Sequence, residues 1–201
     1  METKRLVLFA SGSGSNVENI IQYFRKHAHV SIAAVLTNKR DAQVIDRCNR
    51  LGVNALFFNR NAFSKTDCVL NVVSAMKPDL IILAGFLWKI PENLIQNFPN
   101  KIVNIHPALL PNYGGKGMYG MNVHEAVKAN NETETGITIH YVNENYDEGA
   151  IIHQAKTKLE AKDSAQDIAQ KIHTLEYEYF PKIIEKLLVS PDTDSSKVEI
   201  L

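Results

Sequence analysis

The sequence predicts an α/β protein with a doubly wound, mostly parallel sheet, a late antiparallel strand extension and a long C-terminal helix. Short runs of β-branched and apolar residues alternate with segments of helical periodicity through the first half of the chain. Leu80–Ala84 is almost continuously apolar, which is typical of a strand that is buried on both faces of a parallel sheet. The second half instead places two strands next to each other before one long helical stretch.

The first half is predicted to form five strands joined by helices. Gly52 suits the position that follows a helix, and Pro78 ends another helix because the residue before a proline avoids helical angles. Parallel sheets of this kind bind ligands beyond the carboxyl ends of their strands, so polar motifs at strand ends are the candidate functional residues. The predicted strands are Arg5–Ala10, Val30–Leu36, Asn54–Phe58, Leu80–Ala84 and Lys101–Ile105, and the predicted helices are about Asn16–His27, Ala42–Leu51, Ser64–Met76 and a short one from Pro91.

A long loop from Pro107 to Asn122 opens the second half. It is rich in glycine and has little periodicity, and loops of that length are usually functional or mobile. Residues 190–201 are predicted to form a polar tail, so one domain is expected over residues 1–189. Between loop and tail we predict a helix at Val123–Ala129, strands at Gly136–Val142 and Ala150–Leu159, and a helix that Asp163 or Ser164 caps and that runs to about Leu188 with a bend at Pro181.

The charge balance argues against several classes of function. The 201 residues carry 22 Lys+Arg and 22 Asp+Glu, so the formal net charge is zero. Broad binding of nucleic acid or of an anionic membrane needs a basic excess, which this chain lacks. The apolar run Leu6–Ala10 is too short for a signal peptide or a membrane span, so we expect a cytoplasmic protein. Two cysteines and scattered histidines show no metal-ligand spacing, so we expect no metal.

The segment Ser11–Asn16 is a Gly-rich turn that follows a strand and opens a helix. Backbone N–H groups of such a turn converge on an anion, and the helix dipole adds to the attraction. The dinucleotide fingerprint fails because Val17 stands where its third glycine belongs, and no Gly-Lys-Ser/Thr follows. We therefore predict a phosphate monoester as the ligand, with a plain βα turn as the alternative.

A second candidate site lies at the carboxyl end of the strand that contains Asn104 and His106. Alternation along a strand directs both side chains to the same side, where an amide and an imidazole can stabilise an oxyanion and move a proton. Asp147, in a late loop, could orient His106 and raise its pKa, and His140 could join them. The alternatives are a structural histidine and a turn-forming aspartate.

Taken together, these motifs resemble the folate-dependent phosphoribosylglycinamide formyltransferases of purine synthesis. The similarity runs from about Leu6 to Leu188. The motif Asn-x-His-Pro-x-Leu-Leu-Pro is specific for formyl-folate enzymes, and the Gly-rich turn narrows the resemblance to this family. The segments that carry it are Ser11–Asn16, Ala84–Leu87, Asn104–Pro111, Gly136–Val142 and Asp147–Gly149.

The resemblance implies a Rossmann-like formyltransferase fold, with residues 1–106 as a phosphosugar-binding half and residues 107–189 as a half with the folate and catalytic loops. It implies that formyl passes from 10-formyltetrahydrofolate, a co-substrate, to the amine of glycinamide ribonucleotide (GAR). Both are small molecules, and neither nucleic acid nor membrane takes part. The protein would be a monomer or a homodimer.

The resemblance also implies roles for individual residues. Asn104 and His106 would stabilise the tetrahedral oxyanion, with Asp147 supporting His106 and a proton relay through water. The long loop, of which the segment Gly114–Gly120 is unlike commoner versions, would close over the formyl group. Positions that match substrate contacts are Gly14, Ser15 and Asn16 at the phosphate, Glu176 at the ribose, Leu87, Trp88, Lys89, Ile90, Asn104, Asn143 and Asp147 at the folate, and Lys65 near its glutamate tail.

The sequence departs from the family pattern at one position, and three other functions remain as alternatives. The family usually has a basic residue where Trp88 stands, which backbone recognition of the pterin would tolerate. Methionyl-tRNA formyltransferase and formyltetrahydrofolate hydrolase share the Asn-x-His core, but each is expected to need a further domain. A non-catalytic phosphosugar-binding module would keep the Gly-rich turn without a reason to keep Asn104, His106 and Asp147 together.

Overall fold

The computed structural model of the chain describes residues 3–189. The predicted tail at residues 190–201 lies outside this range. The chain divides into two compact units, one that extends to Val103 and one that starts at Asn104.

The first unit alternates strands and helices as predicted, and β5 runs across the point of division. Its strands are β1 (Lys4–Ala10), β2 (Val30–Thr37), β3 (Ala55–Phe57), β4 (Leu80–Leu83) and β5 (Ile102–His106), and its helices are α1 (Ser15–Phe24), α2 (Gln43–Leu51), α3 (Arg60–Ser64), α4 (Cys68–Met76) and α5 (Glu92–Asn97). The second unit continues with α6 (Met121–Ala129), β6 (Glu134–Tyr141), β7 (Ile151–Lys158) and α7 (Ala165–Val189).

The strands form one seven-stranded sheet in the order β3-β2-β1-β4-β5-β6-β7. Within the first unit, β1 pairs in parallel with β2 and β4, and β2 pairs in parallel with β3. Within the second unit, β6 and β7 are antiparallel. The predicted α/β class, with its mostly parallel sheet, late antiparallel extension and long C-terminal helix, is confirmed.

The core of the first unit forms around β1. Its residues Leu6–Ala10 are at most 1% exposed, which explains why this strand reads as a continuous apolar run. Helix α1 buries Val17, Ile20, Ile21 and Phe24, one stripe at helical spacing, and each such side chain contributes roughly 1.5–3 kcal/mol when fully buried.

Helix α2 buries a second, narrower stripe that includes Cys48. Gly52 ends this helix in the left-handed conformation at φ 66°, as predicted. The Cys48 side chain is 0% exposed, and burial raises the pKa of its thiol. Cys68, at the start of α4, is exposed.

Two predicted helix boundaries in the first unit are wrong. The predicted helix Ser64–Met76 begins four residues late, at Cys68, and the short helix α3 before it was not predicted. Asn59 caps α3 by accepting the Ala62 N–H at 2.9 Å, and the chain turns before α4. In that turn the Thr66 hydroxyl accepts the Cys68 N–H at 3.4 Å, a local bond that competes with a continuous helix. The end of α1 also comes three residues early, because the N–H groups of Lys26 and His27 bond to carbonyls three residues back, as in a 3₁₀ turn.

Helix α7 dominates the second unit. Ser164 and Asp167 cap its start reciprocally: the Ser164 N–H donates to the Asp167 carboxylate at 2.8 Å, and the Asp167 N–H donates to the Ser164 hydroxyl at 3.2 Å. Pro181 lies inside the helix, and the predicted bend there stays a prediction. Ile168, Ile172 and Phe180 are at most 1% exposed and contribute to the core of this unit. Among residues 3–189, no helix is both long and apolar enough to span a membrane.

Candidate active site

The Gly-rich turn of the first unit joins the buried end of β1 to α1. Gly14 precedes the helix in the left-handed conformation (φ 76°, ψ 24°), and its carbonyl accepts the Glu18 N–H at 2.9 Å. A glycine at this position has no side chain with which to cap the helix, so the first N–H groups of α1 are donors that an anion can accept. Ser15 is half-buried and Asn16 is 8% exposed.

Gly14 also has a packing role that does not depend on a ligand. A Cβ atom at this position would lie 2.6 Å from the Val44 Cβ and 2.9 Å from the Val44 Cα. The Val44 N–H donates to the Gly12 carbonyl at 3.2 Å, so the start of α2 rests on the turn. Glycine is therefore needed both for the backbone conformation and for the close approach of α2.

Two arginines of α2 pair with the carboxylate of Glu18 beside the turn. The Arg47 Nε donates to the Ser13 carbonyl at 2.7 Å, and the same guanidinium pairs with Glu18. Arg50 contacts the other oxygen of that carboxylate at 2.8 Å. The hydrogen bond from Arg47, with the charge of both arginines, holds the pKa of Glu18 below its ordinary value. Glu18 therefore neutralises only one of the two positive charges that α2 places beside the turn.

Ser11 connects this turn to the loop that follows β4. Its N–H donates to the Gly85 carbonyl at 3.0 Å, and its buried hydroxyl accepts the Leu87 N–H at 2.9 Å. The Leu87 amide is therefore used inside the protein. The backbone recognition of a pterin that the resemblance implies for residues 87–90 would have to use the other amides and carbonyls of this loop.

Trp88, in the same loop, belongs to an aromatic cluster. Its ring centroid lies 6.1, 5.8 and 6.4 Å from those of Phe58, Phe63 and Phe86. The guanidinium carbon of Arg60 lies 4.2 Å from the Trp88 ring centroid, a cation–π arrangement. Arg60 therefore places a positive charge beside position 88, where the family usually has a basic residue and this chain has Trp88. The other predicted folate positions of this unit, Lys65, Lys89 and Ile90, are exposed, exposed and buried, respectively.

In the second unit, the Asn104 amide is oriented by His140. The Asn104 Nδ2 lies 3.1 Å from the His140 Nε2, and the His140 Nδ1 lies 2.9 Å from the Tyr141 carbonyl. A carbonyl can only accept, so the His140 proton is on Nδ1, and Nε2 accepts from the amide. The Asn104 amide has a second N–H that can donate to another acceptor.

His106 and Asp147 form a buried pair in the same unit. The His106 Nδ1 lies 3.6 Å from the Asp147 Oδ2, and their side chains are 4% and 14% exposed. The opposite ring nitrogen, Nε2, donates to the Tyr113 carbonyl at 2.8 Å. Asp147 has a left-handed backbone (φ 56°), its Oδ2 accepts the Gly115 N–H at 2.9 Å, and its Oδ1 lies 3.7 Å from the His140 Nε2.

The protonation states of this pair differ from the prediction made for His106. Burial lowers the pKa of His106 and outweighs the opposite effect of the Asp147 charge, so the net shift is downward and not upward as expected. Burial alone would raise the pKa of Asp147, but the His140 and His106 rings and the Gly115 N–H outweigh it and lower that pKa. At neutral pH the pair is therefore a carboxylate beside a neutral imidazole.

Thr138, on β6, holds the segment that follows His106. Its buried hydroxyl donates to the Ala108 carbonyl at 2.7 Å and accepts the Leu110 N–H at 3.0 Å. The Gln154 Nε2 donates to the same hydroxyl at 2.8 Å and to the Leu110 carbonyl at 3.0 Å. Asn143, near the other end of the site, accepts the Asn145 N–H at 3.0 Å and shapes the loop that carries Asp147.

Glu176 lies on α7 and is 5% exposed. Its Oε2 is 2.8 Å from the His173 Nδ1, and this hydrogen bond raises the pKa of His173. The charge of Glu176 also acts on His106, so Glu176 lies within electrostatic range of the His106–Asp147 pair. His124, on α6, is 4% exposed with a pKa lowered by burial, and its Nδ1 has no hydrogen-bond partner in the described structure.

The structure thus brings Asn104, His106, His140 and Asp147 together in the second unit. Sequence reasoning missed Tyr113, because it contacts His106 through its backbone carbonyl, a group that every residue has. Thr138 was missed as well, although its place two residues before His140 on one strand was a usable signal. No group of three or more His, Cys, Asp or Glu residues that could hold a metal ion occurs within residues 3–189.

Residues 4–184 match the family model described as formyl transferase. This chain belongs to the formyl transferase family. Relatives within it include phosphoribosylglycinamide formyltransferase of Bacillus subtilis (strain 168), which is 34% identical over 92% of this chain and 95% of its own length. The chloroplastic phosphoribosylglycinamide formyltransferase of Arabidopsis thaliana is 34% identical over 90% of this chain and 64% of its own length.

Solved structures of the family agree with the fold. Glycinamide ribonucleotide transformylase 1 from Geobacillus kaustophilus matches with a TM-score of 0.85 and 31% identity, over 93% of this chain and all of that one. Phosphoribosylglycinamide formyltransferase from Streptococcus pneumoniae TIGR4 matches with a TM-score of 0.82 and 30% identity, over 92% of this chain and 99% of that one. The chain spans 64% and 61% of the length of two chloroplastic relatives.

Proposed function

We propose that this chain transfers the formyl group of 10-formyltetrahydrofolate to the amine of N1-(5-phospho-D-ribosyl)glycinamide, a step of de novo purine synthesis. The observation that carries the proposal is the group of Asn104, His106 and Asp147, linked through His140, in which an amide donor, a neutral imidazole and a carboxylate occur together. The names of the family members described above support the same substrates.

The reaction needs two services from these side chains. When the neutral amine attacks the formyl carbon, an oxyanion and an ammonium form together; the bond from the formyl carbon to N10 of the folate then breaks, and N10 takes up a proton. The N–H of Asn104 that His140 does not use donates to the oxyanion. His106 accepts the ammonium proton, directly or through water, and returns it to N10.

Asp147 stabilises the imidazolium that His106 becomes after it accepts the proton. The neutral His106 presents a lone pair at Nδ1, since its Nε2 proton is donated to the Tyr113 carbonyl. His106 can therefore donate to the oxyanion only after it has taken up a proton, whereas Asn104 can donate from the start. The carboxylate 3.6 Å away favours this cation by opposite charge.

We assign the substrate-binding residues as follows. The phosphate binds the turn at Gly14, Ser15 and Asn16, and Glu176 accepts hydrogen bonds from the ribose hydroxyls. We further propose a phosphosugar-binding half over residues 1–106, with Glu176 as a contact from outside it, and a half with the folate and catalytic loops over residues 107–189. The folate is bound by Lys65, Leu87, Trp88, Lys89, Ile90, Asn104, Asn143 and Asp147.

The substrates are small molecules, and the chain works without a metal, nucleic acid or a membrane. We propose a cytoplasmic location and a monomer or homodimer.

One assay tests this function against its alternatives. The protein is mixed with 10-formyltetrahydrofolate, with and without the glycinamide ribonucleotide, and loss of formyl folate is followed by absorbance. Loss that depends on the amine supports the transferase. Loss without the amine identifies a hydrolase, and tight phosphosugar binding without turnover identifies a binding module.

A further inference from the structure

A segment of the long loop, residues 113–115, contacts His106 at one end and Asp147 at the other. The Tyr113 carbonyl accepts the His106 Nε2–H at 2.8 Å, and the Gly115 N–H donates to the Asp147 Oδ2 at 2.9 Å. Between them, a Cβ on Gly114 would lie 3.3 Å from the Asp147 Cβ, so the chain passes close to this side chain. We call residues 113–115 the clamp.

The clamp depends on an unusual backbone conformation. Tyr113 is left-handed (φ 57°), a region in which a residue with a side chain costs roughly 1–2 kcal/mol. The Tyr113 hydroxyl donates to the Glu132 Oε1 at 2.7 Å, which ties the side chain to the turn between α6 and β6. Burial and this bond raise the pKa of the Tyr113 hydroxyl, so it stays protonated and remains a donor.

Two acceptors compete for the single proton of the neutral His106 ring. The Tyr113 carbonyl faces Nε2 at 2.8 Å, and the Asp147 carboxylate faces Nδ1 at 3.6 Å. A charged acceptor forms the stronger hydrogen bond once the geometry is equal, so the shorter contact to Tyr113 is what decides the tautomer. If the carbonyl moved away, the proton would shift to Nδ1 and bond to Asp147.

We propose that Tyr113 is a positioning residue for His106: anchored by Glu132, its carbonyl keeps the proton on Nε2 and leaves the Nδ1 lone pair for proton transfer. The kinetic consequence rests on the proposed function, whereas the tautomer itself does not. With the proton on Nδ1, the nitrogen that faces Asp147 would have no lone pair with which to accept a proton. The Tyr113–Glu132 hydrogen bond thus determines which ring nitrogen of His106 carries the proton, although neither residue's side chain belongs to the His106–Asp147 pair.

The test measures side-chain ¹⁵N chemical shifts of His106 in the full chain, above the pKa of that ring and without substrate. We expect Nε2–H in the unmodified protein and a measurable fraction of Nδ1–H in Tyr113→Phe, which loses only the hydroxyl. Glu132→Ala should match Tyr113→Phe, whereas Glu132→Gln, whose amide oxygen still accepts, should restore Nε2–H. Tyr119→Phe, a change at an exposed tyrosine of the same loop, is the matched control.

Kinetics supply a second measurement. Tyr113→Phe should lower kcat by about 2- to 10-fold, the loss that corresponds to one net hydrogen bond, with both KM values unchanged. Nδ1–H in the unmodified protein, or identical shifts in Tyr113→Phe and the unmodified protein, would overturn the inference. If the shifts change as expected but the unmodified protein does not transfer formyl, the proposed function fails and the role of Tyr113 in setting the tautomer stands.

Discussion

Replacing Asp147 by Asn removes the charge beside His106 while keeping the shape of the loop. The amide oxygen of Asn can still accept the Gly115 N–H, so the clamp stays in place. At 3.6 Å and an effective dielectric constant of about 20, the lost attraction to the imidazolium is on the order of 4–5 kcal/mol. Because 1.4 kcal/mol corresponds to about a factor of ten in rate and Asn retains a dipole, we expect kcat to fall by roughly 10²- to 10³-fold.

The assay is steady-state turnover with both substrates, with kcat and both KM values determined across pH. The KM values should stay within about a factor of two, because the charge pair forms only after proton transfer. Since the Asp147 charge raises the pKa of His106 against the effect of burial, Asp147→Asn should lower that pKa further. The acidic limb of the pH profile, where His106 becomes protonated before substrate binds, should therefore move to lower pH.

Two further variants make this prediction refutable. Glu148→Gln removes a charge from the next, exposed residue and should leave kcat unchanged. His106→Ala should cost at least about 10²–10³ in kcat, and the double variant with Asp147→Asn should lose much less than the product of the two effects. Fully multiplicative losses, or normal turnover in Asp147→Asn, would refute the pairing and leave Asp147 as a turn residue.

Three other predictions concern stability and its dependence on pH. Gly14→Ala should destabilise the chain by about 2–4 kcal/mol in urea unfolding, from the left-handed backbone and the contact with Val44, whereas Gly12→Ala, with open space around it, should not. Thr138→Val leaves buried partners without a hydrogen bond and should cost about 1–3 kcal/mol per unpaired group, with Thr138→Ser close to the unmodified protein. Because the folded-state pKa of His173 is raised, its stabilisation is complete below pH 6.5 and lost as pH rises through the raised value; His173→Gln should remove this part of the pH dependence of the unfolding free energy.

Patterning predicted the fold because the parallel strands are buried on both faces and therefore read as apolar runs, as Leu6–Ala10 does. The boundaries failed where local hydrogen bonds compete with the helix. Asn59 bonds to nearby backbone and caps the unpredicted helix α3, and Thr66 does the same in the turn that delays the start of α4 to Cys68. Periodicity does not record such bonds, since they depend on only one or two residues.

Part of the candidate site could be predicted from the spacing of residues along a strand. Asn104 and His106 lie two residues apart on one strand, so their shared side follows from the geometry of a strand. The contact of Asp147 with His106 depends on left-handed backbone at Asp147 and Tyr113, which no residue type there demands. The pKa of His106 was expected to rise because a charge partner is visible in a sequence, whereas the depth of burial that lowers it is not.

The contrast between the two cysteines gives this protein a built-in reporter of local opening. A soluble thiol reagent reacts with the thiolate, so the exposed Cys68 is labelled in the folded state. Cys48 is completely covered, and its raised pKa keeps it as a thiol, so it reacts only when α2 separates from the core. The slower of two labelling phases therefore measures how often α2 leaves the Gly-rich turn, and a phosphate compound that binds there would slow that phase alone.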